Sequence, residues 1–299
     1  MATEDSATKN ATTKDTHDPT LIGYEKIGER IACITLDRPD RANAQNYRLL
    51  YQLNDAFDRA AADDEVRVIV LRANGKHFSS GHDLSAADDV SLAEVGISAW
   101  SGFGLPGMEG HWAREEEAYF GLCWRWRNLP KVTIAEVHGK VIAGGLMLMW
   151  PCDLVVASEE ATFQDPVVAF GANGVEYFGH PWEVGTRKAK EMLFTGRAIT
   201  ARVAREMGMV NRVVARDRLR DEVTELAEEI AQQPMMGLKT AKESVNQMQD
   251  QQGFYSALRS AMSMQQLSHA HNYIVNKLPV DPDGMGIVRE LAGKPPLDQ

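Results

Sequence analysis

The stretch EVRVIVLRANG, residues 65–75, constrains the fold more than any other part of the chain, because Val68, Ile69, Val70 and Leu71 form an unbroken aliphatic run shortly before Asn74-Gly75. A half-exposed strand alternates apolar and polar residues, whereas an unbroken aliphatic run needs cover on both faces, as in a sheet lined by helices. IACITLD (31–37), VTIAEVHG (132–139) and DLVVAS (153–158) repeat the signal. Between the first two strands, Leu49, Leu50, Leu53 and Phe57 place one apolar stripe on a helix starting near Asn46. This alternation predicts an α/β fold with a parallel sheet. After about residue 217 the strand signals stop. RLRDEVTELAEEIAQQ, LKTAKESVNQMQD and FYSALRSAMSMQQL read as helices broken near Pro234 and Gly253, with a Met and Leu stripe that calls for burial against the core or a second subunit.

The 299 residues, 44% of them hydrophobic, support a substantial core. There is no apolar run of about eighteen residues that would span a membrane. The opening residues 1–20 are polar, with neither a secretory core nor an Arg-rich amphipathic pattern, and read as a disordered tail; a sequon at Asn10 carries no weight without an export signal. The expected organisation is tail 1–20, core 21–216 and helical region 217–299. Three scattered cysteines, Cys33, Cys123 and Cys152, argue against a disulfide framework and for a reducing, cytoplasmic compartment. A formal net charge of −10 argues against nucleic-acid or anionic-membrane partners, so a phosphate-bearing ligand must rely on a few local basic groups.

Several chemical-looking patterns carry little. GFGLPG (102–107) fits G-x-G-x-x-G, but it contains Pro106 and follows no buried strand; this reads as a loop, not the nucleotide site of an NAD-dependent oxidoreductase. His269 and His271, two positions apart on a helix, face different ways, and no Cys or His group has ligand spacing, so no metal is expected. Ser79, Ser80, His82 and Asp83 lie in one turn without a G-x-S-x-G elbow, which disfavours a serine hydrolase.

Two other elements each deliver a backbone N–H from a turn after a buried strand: KHFSSGHDLSA (76–86) and HGKVIAGGLMLM (138–149). At Gly81, Gly144 and Gly145 the missing Cβ lets main chain approach a ligand, and amides in a helix's first turn lack intrahelical partners. Two such amides aimed at one carbonyl oxygen form an oxyanion hole, worth about 3–4 kcal/mol per donor. The same glycines would also serve tight packing of helix on strand.

LDRPDRANAQN, FSSGHDLSA, VHGKVIAGGLMLMWPCDLVVASEEATFQDPVV and LFTGRAITARVAREMGMVNRVV occur in an order and spacing that resemble the crotonase (enoyl-CoA hydratase/isomerase) superfamily over about residues 22–265. The resemblance implies a crotonase-like (ClpP/crotonase) fold of stacked ββα units with a C-terminal helical trimerisation region, assembling as a homotrimer or a dimer of trimers. It also implies an acyl-CoA thioester substrate, CoA being part of the substrate rather than a separate cofactor, and an enolate held by the N–H groups of His82 and Gly144. By the same resemblance Ser80, Gly81, Asp83, Leu84, Ala42 and Gly145 line the bent CoA, with Arg41 beside its phosphates.

Hydratases of that family carry two glutamates, at the positions that Met147 and Val167 occupy here. Neither residue moves a proton, and a positioned acid or base contributes about 10²- to 10⁴-fold. Simple hydration is therefore disfavoured against isomerisation or other enolate chemistry on a bulky acyl group. FGANGVEYFGHPW supplies Glu176, Tyr177 and His180; Glu176 is the expected proton carrier, with Asp165, His82, His111 and Glu115 to Glu117 in reserve, the last three reading first as a solvated helix start. The aromatic stretch around Trp112, Tyr119, Phe120, Trp124 and Trp126 would help shape an acyl pocket. The competing reading is a non-catalytic acyl-CoA-binding or scaffold homologue that kept the fold after losing its acids.

Overall fold

The structure is a computed structural model that describes residues 20–84, 90–98 and 100–298. The tail expected over 1–20, Thr20 apart, and Ser85 and Ala86 of the FSSGHDLSA block lie outside the described residues.

A six-stranded sheet runs in the order β1 (Ile22–Ile27), β2 (Ile31–Leu36), β3 (Val68–Ala73), β4 (Val132–Val137), β6 (Leu154–Ser158) and β9 (Arg212–Val214). Only β1 pairs antiparallel; every later pairing is parallel. β2 and β3 are buried at every position, as their mainly apolar sequences require, and Arg72 of β3 donates to Thr35 of β2 at 3.1 Å. Alternation sorts their side chains to two sides. Ala32, Ile34, Ile69 and Leu71 join Leu49, Leu53 and Phe57 of the helix Tyr47–Ala62, while Ile31, Cys33, Val68 and Val70 join Leu219, Val223 and Ala227 of the helix Leu219–Ala231. Asn46 caps the first of these helices, its side chain accepting from Leu49 N at 3.0 Å.

A second, shorter layer contains β5 (Lys140–Ile142), β7 (Thr162–Gln164) and β8 (Ile199–Thr200), with β5 parallel to β7 and β7 antiparallel to β8. Single bridges extend it: Ser79 pairs with Val141, and His82 with Gln45. Each turn of chain thus gives one long strand to the large sheet, one short segment to the second layer, then helix. This is the stacked ββα arrangement of a crotonase-like α/β fold. Its regularity brings the ends of successive short segments side by side, and that is where glycines cluster.

The chain closes with the helices Leu219–Ala231, Met235–Gln251, Phe254–Asn276 and Gly284–Leu291. The breaks fall at Pro234 and Gly253, as read from the sequence. Met235–Gln251 has no buried residue and is tied to the core by ions: Lys242 to Asp153 at 2.9 Å and Arg127 to Asp250 at 3.1 Å. A groove of about 700 Å³ lies beneath it, reaching Trp150, Glu183 and Phe254. No helix among the described residues is long and apolar enough to cross a membrane.

Candidate functional site

The site is built where the second layer ends. On the segment after β3, Gly81 O accepts from Gln45 N at 2.8 Å and Asp83 N donates to Gln45 O at 2.8 Å. A parallel bridge that uses the groups on either side of His82 leaves the N–H of His82 pointing to the opposite side, toward the chain leaving β5. That chain turns abruptly. Ala143 adopts φ 47° and ψ −118°, a conformation costly for a residue with a Cβ, and anchors itself through its N–H to Gln164 O at 2.9 Å. Gly144 then opens the helix Gly144–Met149, so its own N–H has no intrahelical acceptor.

The two segments touch through their glycines. A Cβ on Gly81, where φ is +91°, would lie 2.8 Å from Ile142 O and 3.1 Å from the amide nitrogen of Gly144. One on Gly144 would lie 2.8 Å from Cε1 of His82, and one on Gly145 would lie 2.7 Å from Ser79 O. Backbone meets backbone at a separation that leaves no room for a methyl group.

The His82 ring leans on Gly144, stacks on Tyr119 with ring centroids 4.0 Å apart, and meets Oε2 of Glu176 through Nε2 at 3.2 Å. Nδ1 of the same ring is buried without a hydrogen-bond partner. Burial disfavours the charged ring, yet the charge of Glu176 and its hydrogen bond outweigh it and hold His82 above the ordinary histidine value. Tyr119 reaches the ring from the π-helical turn Glu116–Gly121, which interrupts the α-helical stretches Gly107–Glu115 and Leu122–Arg127.

Glu176 is buried, on a loop tied down by Asp165. One Asp165 oxygen accepts from Val167 N at 3.0 Å; the other accepts from Val175 N at 3.1 Å and meets His180 Nε2 at 2.8 Å. Both side chains of that pair are fully buried. Asp165, held in reserve from the sequence as a proton carrier, and His180, offered there beside Glu176, therefore bond to each other and shape the loop. Tyr177 is buried in the core against Phe254. Met147 is buried in the same core and Val167 packs against it.

Of the expected CoA-facing residues, Arg41 keeps more than half of its side-chain surface, with Asp40 at a loose 4.0 Å. Ala42, at φ 49°, accepts from Ser80 N at 3.0 Å, which holds the RPDRANA turn against the 80–84 segment. Gly81 is buried and Leu84 exposed. The Asp83 carboxylate pairs with Arg38 at 2.7 Å and is almost wholly covered, so it fixes the segment from behind. Ser79 bonds to Asn43 O at 2.9 Å and His82 bonds to Glu176, so these two do not form a nucleophile–base pair. GFGLPG is a loop entering the helix at Gly107, with no strand leading directly into it among the described residues.

The sequence reading of Glu115 to Glu117 as a solvated helix start is overturned, since all three are buried well inside a helical stretch. Glu117 accepts from Tyr51 Oη at 2.6 Å and Ile97 N at 2.7 Å; Glu116 pairs with Arg259. Glu115 lies between His111 at 2.9 Å and His269 at 3.2 Å. Burial raises its pKa, but the two histidines more than compensate and hold it at about 2. Three acidic residues in a row alternate around a helix and read as surface, and only their distant partners reverse that. The one local hint was the i, i+4 spacing of His111 and Glu115.

Strand order, backbone turn and glycine contacts together define a family. The enoyl-CoA hydratase/isomerase family profile matches residues 26–100 and 101–274, and the chain belongs to that family. Among its relatives, a putative enoyl-CoA hydratase of Mycobacterium tuberculosis is 49% identical over 257 residues, covering 84% of this chain and 81% of the relative. The crystal structure of a probable enoyl-CoA hydratase from Mycobacterium smegmatis is 50% identical, with a TM-score of 0.79, covering 88% of this chain and 99% of the other. A 4-chlorobenzoyl coenzyme A dehalogenase of an Arthrobacter species is 32% identical over 206 residues, covering 68% and 70%.

The Asp165 clamp generates a test. Asp165→Ala strands a buried imidazole and two N–H groups, and is expected to lower the unfolding free energy by about 3–5 kcal/mol in urea denaturation; a loss below about 1 kcal/mol would show that the loop does not depend on it.

Proposed function

We propose that the chain is an acyl-CoA enzyme of its family that forms and reprotonates a thioester enolate, in isomerase-like or related enolate chemistry rather than simple hydration. The His82 and Gly144 N–H groups receive the thioester oxygen, and the His82–Glu176 pair moves the proton. One observation carries this: the His82 ring rests against Gly144 while Glu176 holds its far nitrogen. A carboxylate on one imidazole nitrogen fixes the tautomer and stabilises the ring once protonated, which leaves the other nitrogen to exchange protons. Nδ1, buried beside Gly144 without a partner, is that nitrogen. Glu176, first in line from the sequence, thus acts with His82 rather than alone. Met147 and Val167 offer no acid where hydratases carry theirs. Arg41, Ala42, Ser80, Gly81 and Gly145 are the proposed CoA surface, with Leu84 at its exposed edge; CoA arrives with the substrate and the chemistry needs no separate organic cofactor.

The test is α-carbon deuterium exchange across a panel of saturated, unsaturated and aromatic CoA esters in deuterated water, read by mass spectrometry. The parent is expected to exchange at least one of them, and Glu176→Gln and His82→Ala to slow exchange by about 10²-fold or more with thioester binding kept. Exchange by both variants at the parental rate would refute the proton-transfer assignment. Binding without exchange by the parent would favour the scaffold reading.

The pair also sets a pH dependence. A histidine whose folded pKa is raised contributes stability that is complete below its unfolded value of about 6.5 and is lost as pH rises through the folded value. Glu176 faces the ring directly, with Glu115 and Asp165 adding smaller charge effects. In an NMR titration the His82 Cε1 proton is expected to titrate above 6.5 in the parent and lower in Glu176→Gln; an unmoved midpoint would break the coupling.

We assign the C-terminal helices to a homo-oligomer interface, a trimer or a pair of trimers. Met236, Val245, Met248, Leu267 and Ile274 are each more than 60% exposed on a single chain, more apolar surface than one helical region leaves to water. Sedimentation is expected to return three or six chains, and a monomer at micromolar concentration would contradict it. Free cysteines, two of them buried, suit the reducing cytoplasm proposed as its compartment.

A further inference from the structure

The helix Gly107–Glu115 crosses the C-terminal helix Phe254–Asn276 where His111, Glu115 and His269 meet. His111 and Glu115 share a face at i, i+4, and His269 enters from the other helix. Nε2 of His111 lies 2.9 Å and Nε2 of His269 lies 3.2 Å from the same oxygen, Oε1 of Glu115. All three atoms fall within 4.8 Å of one another, in the one such cluster among the described residues.

Both imidazoles stand at ion-pair distance from Glu115, and that pairing accounts for the burial of the carboxylate but not for the orientation of the rings. Both Nε2 atoms are buried yet neither forms a hydrogen bond, so neither ring aims an N–H along the line to the carboxylate. Oε1 of Gln266, next to them, is a third buried polar atom without a partner. Orphans of this kind are costly, and three at one point call for a common partner. The surrounding bonds orient the lone pairs inward. Nδ1 of His269 donates to Pro279 O at 2.6 Å, which leaves Nε2 unprotonated in the neutral ring, and Gln266 Nε2 donates to Oε2 of Glu115 at 2.6 Å, which leaves Oε1 to the centre. A backbone carbonyl on a ligand's second nitrogen and an amide on the second carboxylate oxygen are the outer supports that metal ligands show.

We propose that Nε2 of His111, Oε1 of Glu115 and Nε2 of His269 bind a divalent transition metal, zinc being the ion that two imidazoles and one carboxylate suit best. The expectation that the chain binds no metal rested on the spacing of His269 and His271 and on the lack of Cys or His groups with ligand spacing along the sequence, whereas these ligands come from two helices, with Glu115 and His269 154 residues apart (269 − 115). The ion clamps the helix that leads into the π turn against the C-terminal helix.

The experiment uses the full chain without a histidine tag, stripped with chelator and dialysed. Zinc titration by calorimetry, checked by elemental analysis, is expected to give about one zinc per chain with a dissociation constant of about 10 µM or tighter, and a higher melting temperature with zinc than without. Glu115→Gln and His111→Asn should abolish stoichiometric binding. Gln266→Ala, which keeps all three ligands, should weaken it by about tenfold. The exposed His271 serves as control, and His271→Ala should change nothing. Cobalt(II) added to the unmodified protein should give the visible absorption of a low-coordinate nitrogen and oxygen site, which needs no variant to fold. The proposal is overturned by substoichiometric zinc in the parent, or by binding that survives Glu115→Gln unchanged.

Discussion

A backbone that changes direction within one residue is the constraint from which the site follows. β5 must deliver Ile142 to the second layer and the next residues must be helix, so Ala143 takes a positive φ and is held by Gln164 O. This strain is repaid in position, since Gly144 reaches the turn with its N–H unclaimed and close enough to the Gly81 segment that a methyl group on either would collide. Neither glycine brings a titratable side chain. Each removes the atom that would keep two main-chain segments, and any oxygen between them, apart.

Around that point, polar groups are disposed in pairs drawn from distant parts of the chain. His82 with Glu176, Asp165 with His180, Asp83 with Arg38 and Glu116 with Arg259 each give a buried carboxylate a partner without which it would oppose folding. Most of these pairs lock loops and helices into register. His82 and His180 each carry a carboxylate on Nε2 and a buried, unpartnered Nδ1, but of the two only His82 sets that nitrogen beside the glycine turn, so location separates a reacting group from a supporting one where residue type does not.

The long strands were legible because burial on both faces leaves an unmistakable imprint: Val68 to Leu71 have no polar member, and Asn46 and the Pro234 and Gly253 breaks punctuate helices by local chemistry. β5, β7 and β8, two or three residues each, are too short to show a period and exist because longer strands hold them in place. The glycine turns were readable, since a missing Cβ is a local fact. The role of Asp165 and the burial of Glu115 to Glu117 were not, because most of their partners lie far along the chain: His180 is 15 residues from Asp165, Arg259 is 143 from Glu116, and His269 meets Glu115 from the C-terminal helix. His82 and Glu176 were both visible as candidates; their contact across 94 residues belongs to the fold alone.

The wider turn at Glu116–Gly121 has a consequence for phase. An α-helix advances about 100° per residue, so one extra residue in a single turn rotates everything beyond it by about that much. Successive parts of what looks like one helix thereby address different neighbours: Glu115, just ahead of the turn, faces the C-terminal helix, and Tyr119, within it, faces the His82 ring. Removing any one residue from the turn would restore regular winding and bring the two ends back into step, so that no single rotation of the rod could satisfy both.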